Sequence, residues 1–440
     1  MVSCWEAGAD MPRFAPLEED CAADVLIIGG GLAGILTAYM LAEAGADSLL
    51  VEAGRIAGGV TKNTTAKLTS QHGLVYQKLI REFGREGAAL YLRANEEALA
   101  AYRRLAKGID CAFEEKTNYI YTLGSDRKVR KELAALKSLG FPAWREDKLP
   151  LPFEVSGAVA FPHQAQFHPL RFAAAVSRGL NIREHTPVRE LIAEKGGITA
   201  VTGGGRVRAR RVVVATHFPF INKHGAYFLK MYQHRSYVIA LENGPQLGGM
   251  FLDDDEKGLS FRNHGDLLLI GGGSHRTGKR GGGFAELRRF ANRYLPNCRE
   301  KFAWATQDCM TLDSVPYVGR YSRGAENMFV ATGFNKWGMT GSMAAARLLA
   351  DLLTGKPNPY EKLFDPSRTM LRPALAANAA HSVLGLITPT VPRCPHLGCA
   401  LRWNEAERSW DCPCHGSRFT ESGRLIIGPA TGGLRIGGRK

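Results

Sequence analysis

The stretch of sequence that decides the fold is Asp24-Val-Leu-Ile-Ile-Gly-Gly-Gly-Leu-Ala-Gly34. Residues 24–28 form a short aliphatic run, which is typical of a strand buried on both faces. Three glycines follow, and residues 35–44 then show a helical pattern. A second strand is predicted at 48–51 and ends on Glu52. This order of strand, glycine turn, helix, strand and acid predicts a dinucleotide-binding βαβ unit.

Each position in this unit has a predicted task. Gly29 permits the tight turn, Gly31 lets the backbone approach a pyrophosphate, and Gly34 lets the helix pack closely against the strand. The helix N-terminus presents unpaired N–H groups to the phosphates, and Glu52 accepts hydrogen bonds from the ribose hydroxyls. A glycine turn without a ligand is the alternative, which the acid at the expected spacing disfavours.

Three further segments indicate that the dinucleotide is FAD. A glycine-rich loop at 53–61 follows Glu52, and residues 211–216 form a strand that ends in a small-residue turn. Late in the chain, a strand at 328–333 leads into Phe334-Asn-Lys-Trp-Gly-Met-Thr340 and a helix. In order and spacing these segments resemble the motifs of the D-amino-acid oxidase-like flavoproteins.

The resemblance extends over residues 22–368 and implies a glutathione-reductase-like Rossmann domain that binds FAD, with an inserted mixed-sheet substrate domain. The closing helix begins near Met339 and is expected to aim its N–H groups at the flavin pyrimidine, where negative charge builds up on reduction. The implied FAD-binding residues are Gly29, Gly31, Leu32, Ala33, Gly34, Glu52, Ala53, Gly54, Arg55, Gly59, Val60, Thr61, Val188, Ala215, Thr216, Gly333, Gly338, Met339 and Thr340.

A second nucleotide site is not predicted. Gly203-Gly-Gly205 lies between two strand-like runs and is expected to form a hairpin turn. Gly271-Gly-Gly273 follows a predicted strand at 267–270 without a helix behind it. We therefore expect no internal NAD(P)H site.

Domain limits follow from the placement of these motifs. The FAD-binding domain is expected to comprise residues 18–116, 150–222 and 300–368, and the substrate domain residues 117–149 and 223–299. A helix and linker at 369–390 are expected to lead into a final unit at 391–440.

Candidate catalytic residues follow from position in the resembled family. Arg235, beside Tyr237, is expected on the roof of the substrate pocket, where an arginine could bind a carboxylate. Lys67 and His72 follow the glycine-rich loop, where amine-oxidising relatives place basic residues over the flavin. A purely structural role is the alternative for each of the four.

Three other residues are expected near the flavin without a catalytic assignment. His217 directly follows the turn at 215–216 and is expected to pack near FAD. Lys336 and Trp337 belong to the closing loop and are expected to line the pocket.

The end of the chain is dense in metal-binding residue types. Cys394-Pro-His396 is followed, after fifteen residues, by Cys412-Pro-Cys-His415, which is the pattern C-x-H…C-x-x-H. A Rieske [2Fe-2S] cluster uses this ligand set, with two thiolates on one iron and two imidazoles on the other. Zinc could use similar ligands, and a degenerate, empty site is a further alternative.

The residues around both loops resemble the Rieske proteins of the cytochrome bc type. The implied cluster ligands are Cys394, His396, Cys412 and His415. The resemblance also implies a disulfide between the two extra cysteines, Cys399 and Cys414. Ser417 could donate a hydrogen bond to a cluster sulfur, whereas Phe419 stands where the respiratory proteins carry a tyrosine hydroxyl. The loss of that donor predicts a lower reduction potential.

This final unit is short for its type. Only about twenty residues separate the last helical stretch of the flavin domain from Cys394, and strands are predicted at 400–403 and 424–427. The expected fold is therefore α/β followed by a small, truncated, all-β Rieske-type domain. So small a unit is expected to lean on the flavin domain for its core.

Composition limits the partners and the location. The chain has 440 residues and a formal net charge of +15, with basic residues spread along its length in short clusters. This pattern favours a solvated basic surface, with a docking face for an acidic redox partner as the alternative, and argues against nucleic acid. We see no apolar run of membrane-spanning length and no export signal, so a cytoplasmic location is expected.

These features together predict an FAD-dependent oxidoreductase. In the leading hypothesis a small amine or amino acid reduces FAD, and the cluster passes the electrons singly to an external carrier. Two alternatives remain open. One is a reductase that runs in the opposite direction from a ferredoxin-like donor, and the other is a non-catalytic redox sensor whose cluster controls partner binding.

Overall fold

A computed structural model describes residues 2–221, 224–370, 372–389 and 392–434. The predicted domain ranges include further positions, and these lie outside the described residues. The strands are β1 (Cys21–Ile28), β2 (Ser48–Val51), β3 (Lys67–Leu68), β4 (Glu114–Thr122), β5 (Trp144–Glu146), β6 (Gly157–Gln166), β7 (Ile182–Arg183), β8 (Glu190–Glu194), β9 (Gly197–Val201), β10 (Arg206–Val214), β11 (Met231–Glu242), β12 (Met250–Asp253), β13 (Ser260–His264), β14 (Leu267–Arg276), β15 (Arg299–Thr311), β16 (Tyr317–Arg320), β17 (Met328–Thr332), β18 (Arg402–Asn404), β19 (Ser409–Asp411), β20 (Arg418–Thr420) and β21 (Leu425–Ile427). The helices are α1 (Leu32–Glu43), α2 (Tyr76–Ala106), α3 (Arg127–Ser138), α4 (Pro169–Ser177), α5 (Tyr227–Lys230), α6 (Gly283–Tyr294), α7 (Gly338–Leu353), α8 (Glu361–Phe364) and α9 (Pro373–Ile387), with a 3-10 turn at Val60–Asn63.

The first sheet contains the predicted βαβ unit. Its strand order is β16-β17-β10-β1-β2-β7, with the β8–β9 hairpin attached to β10, and β1 pairs in parallel with both β10 and β2. Val25 and Ile27 of β1 pack into one apolar core, whereas Leu26 and Ile28 pack into another on the opposite face. Burial on both faces explains why this strand is continuously apolar. The Rossmann domain is confirmed, as is the hairpin turn at 203–205.

The second sheet is mixed and has nine strands in the order β15-β11-β14-β13-β12-β4-β6-β3, with β5 paired to β6. It extends beyond the predicted substrate domain at both limits, because β6 pairs with β4 and β15 pairs along the whole of β11. The ranges 117–149 and 223–299 are therefore too narrow. Residues 157–166 and 299–311, assigned above to the FAD-binding domain, belong to this sheet.

The C-terminal module is a meander of four antiparallel strands in the order β18-β19-β20-β21. Two of these strands, β19 and β20, were not predicted. The apolar core of the module consists of Cys394, Cys399, Leu401, Cys412, Cys414, Phe419 and Ala430. This core is separate from the apolar cores of the flavin-binding half, so the expectation of a shared core is wrong. Buried polar contacts hold the module instead.

Helix α2 is interrupted at Gly84, which adopts φ of +72°. Helix α9 occupies the predicted helix and linker segment before the module. None of the helices within the described residues is both long enough and apolar enough to cross a bilayer.

Candidate functional site

The glycine turn between β1 and α1 leaves room only for backbone. Gly29 adopts φ of +112°, and a Cβ there would lie 2.6 Å from the carbonyl oxygen of Ala215. A Cβ on Gly34 would lie 1.9 Å from the carbonyl oxygen of Gly29. Both distances are shorter than van der Waals contact, so these positions require glycine. A Cβ on Gly31 would meet Thr61 Oγ1 at 3.7 Å and nothing nearer, which leaves this backbone open to a ligand.

Glu52 lies at the carboxyl end of β2, where an acid was expected. Its carboxylate accepts hydrogen bonds from the backbone N–H groups of Gly30 at 2.7 Å and Gly54 at 2.8 Å. Burial raises the pKa of the Glu52 carboxyl group, and the N–H donors oppose that rise. The acid and the glycine turn therefore meet, as a site for ribose and pyrophosphate requires.

A second acid in this region, Glu184, was missed. It follows β7, is fully buried, and accepts backbone hydrogen bonds from Ile56 at 2.8 Å and Phe14 at 3.1 Å. It also forms a salt bridge of 3.1 Å with Arg55. These contacts fix the glycine-rich loop against the sheet. No motif surrounds Glu184, so the sequence carries no signal for it.

The remaining predicted FAD-binding residues lie near the same turn or at the ends of strands. Leu32 and Ala33 are buried in the first turn of α1. Val188 is partly buried against the core on one face of the first sheet. Thr216 follows β10, and Gly333 follows β17 with φ of +72°.

Segments that are distant in sequence are hydrogen-bonded to one another beside the turn. Thr61 Oγ1 accepts a hydrogen bond of 3.0 Å from the N–H of Leu32, which joins the glycine-rich loop to α1. Thr340 Oγ1 accepts from the N–H of Thr69 at 3.1 Å and donates to its carbonyl at 2.8 Å, which joins α7 to the segment after β3. The predicted flavin segments are thus brought together.

A cavity of about 420 Å³ lies at this junction. Val60, Gly338 and Met339 of the predicted flavin segments line it, and so do strands of the second sheet, including β3 with Lys67. Helix α7 begins at Gly338 without a side-chain cap, so its first N–H groups are available to a ligand. The open backbone at the turn, the uncapped helix and a cavity of this size fit FAD.

Lys67 lines the cavity and is buried. Its Nζ donates a hydrogen bond of 3.4 Å to the carbonyl of Phe251. Burial, with a smaller contribution from the Arg262 guanidinium, lowers the pKa of Lys67 to about 7. Its amine is therefore close to half unprotonated at neutral pH, as suits a group that exchanges protons.

His72 also lines the cavity, but both of its ring nitrogens are engaged. Nδ1 lies 2.7 Å from the hydroxyl of Tyr91, and Nε2 lies 2.8 Å from the carbonyl of Thr69. Burial lowers the pKa of His72 to about 3, so the ring is neutral. It stacks on Trp337 with ring centroids 5.0 Å apart. These contacts give His72 a structural role.

Arg235 does not line the cavity, and the expectation that it binds substrate there has to be corrected. It is 1% exposed, and its guanidinium forms a salt bridge with Glu407 of the C-terminal module, with Nε 3.0 Å from Oε1. Tyr237 lines the cavity, but its hydroxyl lies 3.1 Å from His275 Nε2 and 3.4 Å from Asn404 of the module. The roof strand β11 therefore presents Arg235 to the module.

Besides Lys67, charged side chains line the cavity from three places. Asp308 lies on β15, Lys336 lies in the closing loop, and Asp253, Asp254, Asp255 and Glu256 lie at the end of β12 and in the loop after it. Lys336 and Trp337 line the cavity as predicted. Asp308 and Glu256 were missed, because nothing in the sequence shows which side chains of a roof strand face inward.

The four predicted cluster ligands are brought together in the module. Cys394 and Cys412 are buried with their thiols in hydrogen-bonding contact, and the rings of His396 and His415 lie at 83° with centroids 5.0 Å apart. Both ring nitrogens of His415 are buried, and its one hydrogen-bonding contact among the described residues is with the backbone of Phe228. A pair of thiols and a pair of imidazoles match the ligand set of a Rieske cluster.

The extra cysteines lie in the same group but are not bonded to each other. The sulfur atoms of Cys399, Cys412 and Cys414 all lie within 4.8 Å of one another, and every cysteine of the chain is a free thiol. No bond joins the sulfurs of Cys399 and Cys414 in this structure, although they are in contact, and the implied disulfide stays a prediction. The close packing of Gly385 against the Cys414 sulfur, where a Cβ would lie at 2.5 Å, holds α9 against this group.

Ser417 and Phe419 occupy the positions expected of them. The Ser417 hydroxyl is hydrogen-bonded to the Cys394 thiol and also accepts from the N–H of Ala430 at 3.0 Å. Phe419 is fully buried in the core of the module and has no hydroxyl to donate.

His415 faces the flavin-binding half of the chain. It is 2% exposed, and its ring lies 6.0 Å from the ring of Phe218 and 6.1 Å from that of Phe228, measured between centroids. His396, in contrast, is half-buried. His217, predicted to pack near FAD, is half-buried beside Phe218, and desolvation of its ring lowers its pKa to about 4.

Comparison with known proteins agrees with both halves of this arrangement. A family model described as "FAD dependent oxidoreductase" matches residues 24–352, and a model described as "Rieske [2Fe-2S] domain" matches residues 385–436. A Bacillus subtilis protein named "Putative Rieske 2Fe-2S iron-sulfur protein YhfW" is 36% identical over 489 residues, which cover 97% of this chain and 95% of that protein.

Solved structures support the fold of the flavin-binding half. Glycine oxidase from Geobacillus kaustophilus superimposes with a TM-score of 0.67 at 21% identity, covering 79% of this chain and 99% of that one. L-proline dehydrogenase from P. horikoshii gives a TM-score of 0.66 at 18% identity, covering 80% and 98%. The family matches confirm FAD and a [2Fe-2S] cluster as the cofactors.

Proposed function

Because the chain belongs to the FAD-dependent oxidoreductases and carries a Rieske [2Fe-2S] domain, we propose that it oxidises a small amine or amino acid and delivers the electrons through the cluster to an external acceptor. When bound, FAD accepts two electrons from a C–H bond next to nitrogen and the cluster accepts them singly. The chain itself supplies the positioning, the proton-exchanging group and the route between the two sites.

The observation that carries this proposal is the contact of His415 with Phe218. Phe218 lies three residues after Ala215, in the segment whose resemblance implies flavin contact. One short segment therefore reaches from the predicted flavin site to a predicted cluster ligand. Phe218 and His415 are both buried, so the contact between their rings is shielded from bulk solvent.

Lys67 is the residue best placed to move a proton. Its Nζ faces the cavity, and its pKa of about 7 lets it accept a proton from a substrate ammonium, which must be neutral before C–H oxidation. Thr340 and Thr69 hold the start of α7 beside it.

The exposed surface beside the module supports an acidic electron-carrier protein as the acceptor. Helix α9 buries Asn378 and Ser382 but leaves apolar side chains in solvent, and Leu397, next to His396, is 38% exposed. The exposed apolar residues of the helix are Val383, Leu384, Leu386 and Ile387. The exposed cations nearby are Lys279, Arg280 and Arg393. An apolar centre with a charged rim is typical of protein interfaces, and the cations favour an acidic partner.

The free thiols outside the cluster group, at Cys4, Cys21, Cys111, Cys298 and Cys309, agree with a cytoplasmic location.

The proposal is tested on the purified holoenzyme under anaerobic conditions. A panel of amino acids and primary amines is added, flavin bleaching is followed by absorbance, and the reduced cluster by electron paramagnetic resonance. We expect one substrate class to bleach the flavin and then produce the Rieske signal. A flavin that bleaches while the cluster stays oxidised would refute the internal route.

The route itself is tested with two matched variants. Phe218→Leu removes a ring that contacts His415 from within the flavin-contacting segment, whereas Phe228→Leu removes a ring that contacts His415 from α5. We expect Phe218→Leu to slow cluster reduction more than Phe228→Leu, with equal rates of flavin bleaching. Equal effects would place the route elsewhere.

A further inference from the structure

The cavity contains two charged side chains that the protein leaves without a partner. Asp308 on β15 and Lys336 in the closing loop both line it. Neither side chain makes a hydrogen bond or salt bridge with another described residue, although each lies within the electrostatic field of the other. Both side chains are partly buried, and a charge that is withdrawn from water without a partner is costly, so these two groups are expected to meet opposite charges on a ligand.

The other acids at the cavity already have partners. Asp254 forms a salt bridge of 2.7 Å with Lys128, and Glu256 accepts a hydrogen bond of 2.6 Å from Nε2 of His234. Asp253 accepts a hydrogen bond of 3.0 Å from the N–H of Asp255, which itself accepts from the N–H of Lys257. Asp308 is therefore the carboxylate that remains for a ligand cation.

The cations at the cavity lead to a similar conclusion. Lys67 and Lys336 are the basic side chains among the described lining residues apart from His72, and no arginine is among them. Lys67 does not carry a permanent positive charge, because burial and the charge of Arg262 lower its pKa to about 7. Burial also lowers the pKa of Lys336, but the nearby carboxylates of Asp308 and Glu256 oppose that fall and favour the charged form. Lys336 is therefore the cation that remains for a ligand carboxylate.

The chain holds Lys336 in place at a conformational cost. Asn335 and Lys336 both adopt left-handed backbone angles, with φ of +52° and +71°. The side-chain oxygen of Asn335 accepts a hydrogen bond of 2.7 Å from the backbone N–H of Thr311. The backbone N–H of Asn335 donates to the carbonyl of Cys309 at 3.0 Å. The closing loop is thereby fastened to β15 next to Asp308. Strained residues held in this way are common at ligand-binding positions.

We propose that Asp308 and Lys336 bind the ammonium and carboxylate groups of a zwitterionic amino acid. The inference rests on the proposed function and narrows it, because a simple amine would leave Lys336 without a counter-charge. It also replaces Arg235 as the carboxylate-binding residue. FAD would occupy the part of the cavity that Gly338 and Met339 line, so the space that remains for substrate suits a small amino acid.

Three probes that resist oxidation test the pair on the FAD-loaded enzyme. 2-Aminoisobutyrate carries both charges but no hydrogen on its α-carbon, tert-butylamine carries the ammonium alone, and pivalate carries the carboxylate alone. Binding is measured by calorimetry and by the change in the flavin absorption spectrum. We expect 2-aminoisobutyrate to bind about tenfold or more tightly than either single-charge probe, as a charged hydrogen bond predicts.

Variants assign each charge to its residue. Lys336→Met is expected to weaken 2-aminoisobutyrate and pivalate about tenfold while sparing tert-butylamine, and Asp308→Asn to weaken 2-aminoisobutyrate and tert-butylamine while sparing pivalate. Lys336→Arg should retain carboxylate binding. Lys107→Met and Glu194→Gln, which change exposed charges outside the cavity, serve as controls. The ranking of probes on the wild-type enzyme tests the inference even where a variant does not fold.

The outcomes separate this inference from the function on which it rests. If tert-butylamine binds as tightly as 2-aminoisobutyrate and amines bleach the flavin, the zwitterion site is wrong and the oxidoreductase proposal stands. If 2-aminoisobutyrate binds as expected but no amino acid bleaches the flavin, the site stands and the proposed oxidation is wrong.

Discussion

The flavin-binding half and the C-terminal module are stabilised in different ways. The first sheet buries aliphatic residues on both faces, and each of its two cores contains many large apolar side chains. The core of the module has seven buried residues, of which four are cysteines. The first half can therefore fold by burial of apolar surface, whereas the module depends on what its cysteines bind.

The contact between the two halves differs from both kinds of core, because charged and polar side chains make it. Arg235 on β11 pairs with Glu407, Glu407 pairs with Arg418 at 2.8 Å, and Arg418 pairs with Asp411 at 2.8 Å. Gln307 adds a hydrogen bond of 2.7 Å to the carbonyl of Gly416. All of these charged groups are nearly excluded from solvent. Such a network specifies one docked orientation, because any other would leave buried charges unpaired.

The largest effect is expected from loss of the cluster. Cys412→Ser removes one predicted ligand, and metal sites in small domains contribute about 10 kcal/mol or more to folding. We expect residues 392–434 to lose protection from hydrogen exchange while the first sheet keeps it. FAD content provides the control, since it should not change. A module that stays protected without its cluster would contradict the dependence inferred here.

A smaller effect is expected from the docking network. Glu407→Gln leaves Arg235 and Arg418 short of a counter-charge and should cost about 3–5 kcal/mol, measured by chemical unfolding of the module. Glu421→Gln removes the carboxylate of an exposed salt bridge with Arg408 in the same module and should cost at most about 1 kcal/mol. Similar costs for both variants would mean that the buried network does not hold the module.

In the flavin-binding half, the expected effect is kinetic. Burial lowers the pKa of the Lys67 amine to about 7, so the unprotonated fraction of this amine rises as the pH increases through 7. If that form accepts a proton from substrate, the rate of flavin reduction should rise over the same range. Lys67→Met should slow flavin reduction about a hundredfold and abolish this rise. Retention of the pH profile in the variant would assign it to another group.

The smallest effect is expected at the cluster itself. Ser417→Ala removes the hydroxyl that contacts the Cys394 thiol, a hydrogen bond of about 1 kcal/mol. For a one-electron couple this corresponds to roughly 40 mV, and the reduction potential should fall by about that amount. Ser422→Ala, an exposed hydroxyl in the same module, is the control. The flavin potential should be unchanged in both variants.

Several features of this protein were determined by sequence alone, because they are local. The turn at 29–34 needs glycine for steric reasons that neighbouring residues impose, and the cluster loops keep their ligands within a few residues of one another. Burial on both faces makes β1 recognisable from its composition. Family resemblance added the two cofactors, which the family matches confirm.

The tertiary structure decided which distant side chains meet. In β11 the pairing register shifts between Arg235 and Tyr237, and side chains alternate between faces along a strand, so the sequence could not show that Arg235 points to Glu407. The same reason hid Asp308, whose position in the cavity depends on the pairing of β15 with β11. The chemistry of the cofactors is thus legible in short motifs, while the recognition of substrate and the docking of the module depend on long-range strand pairing.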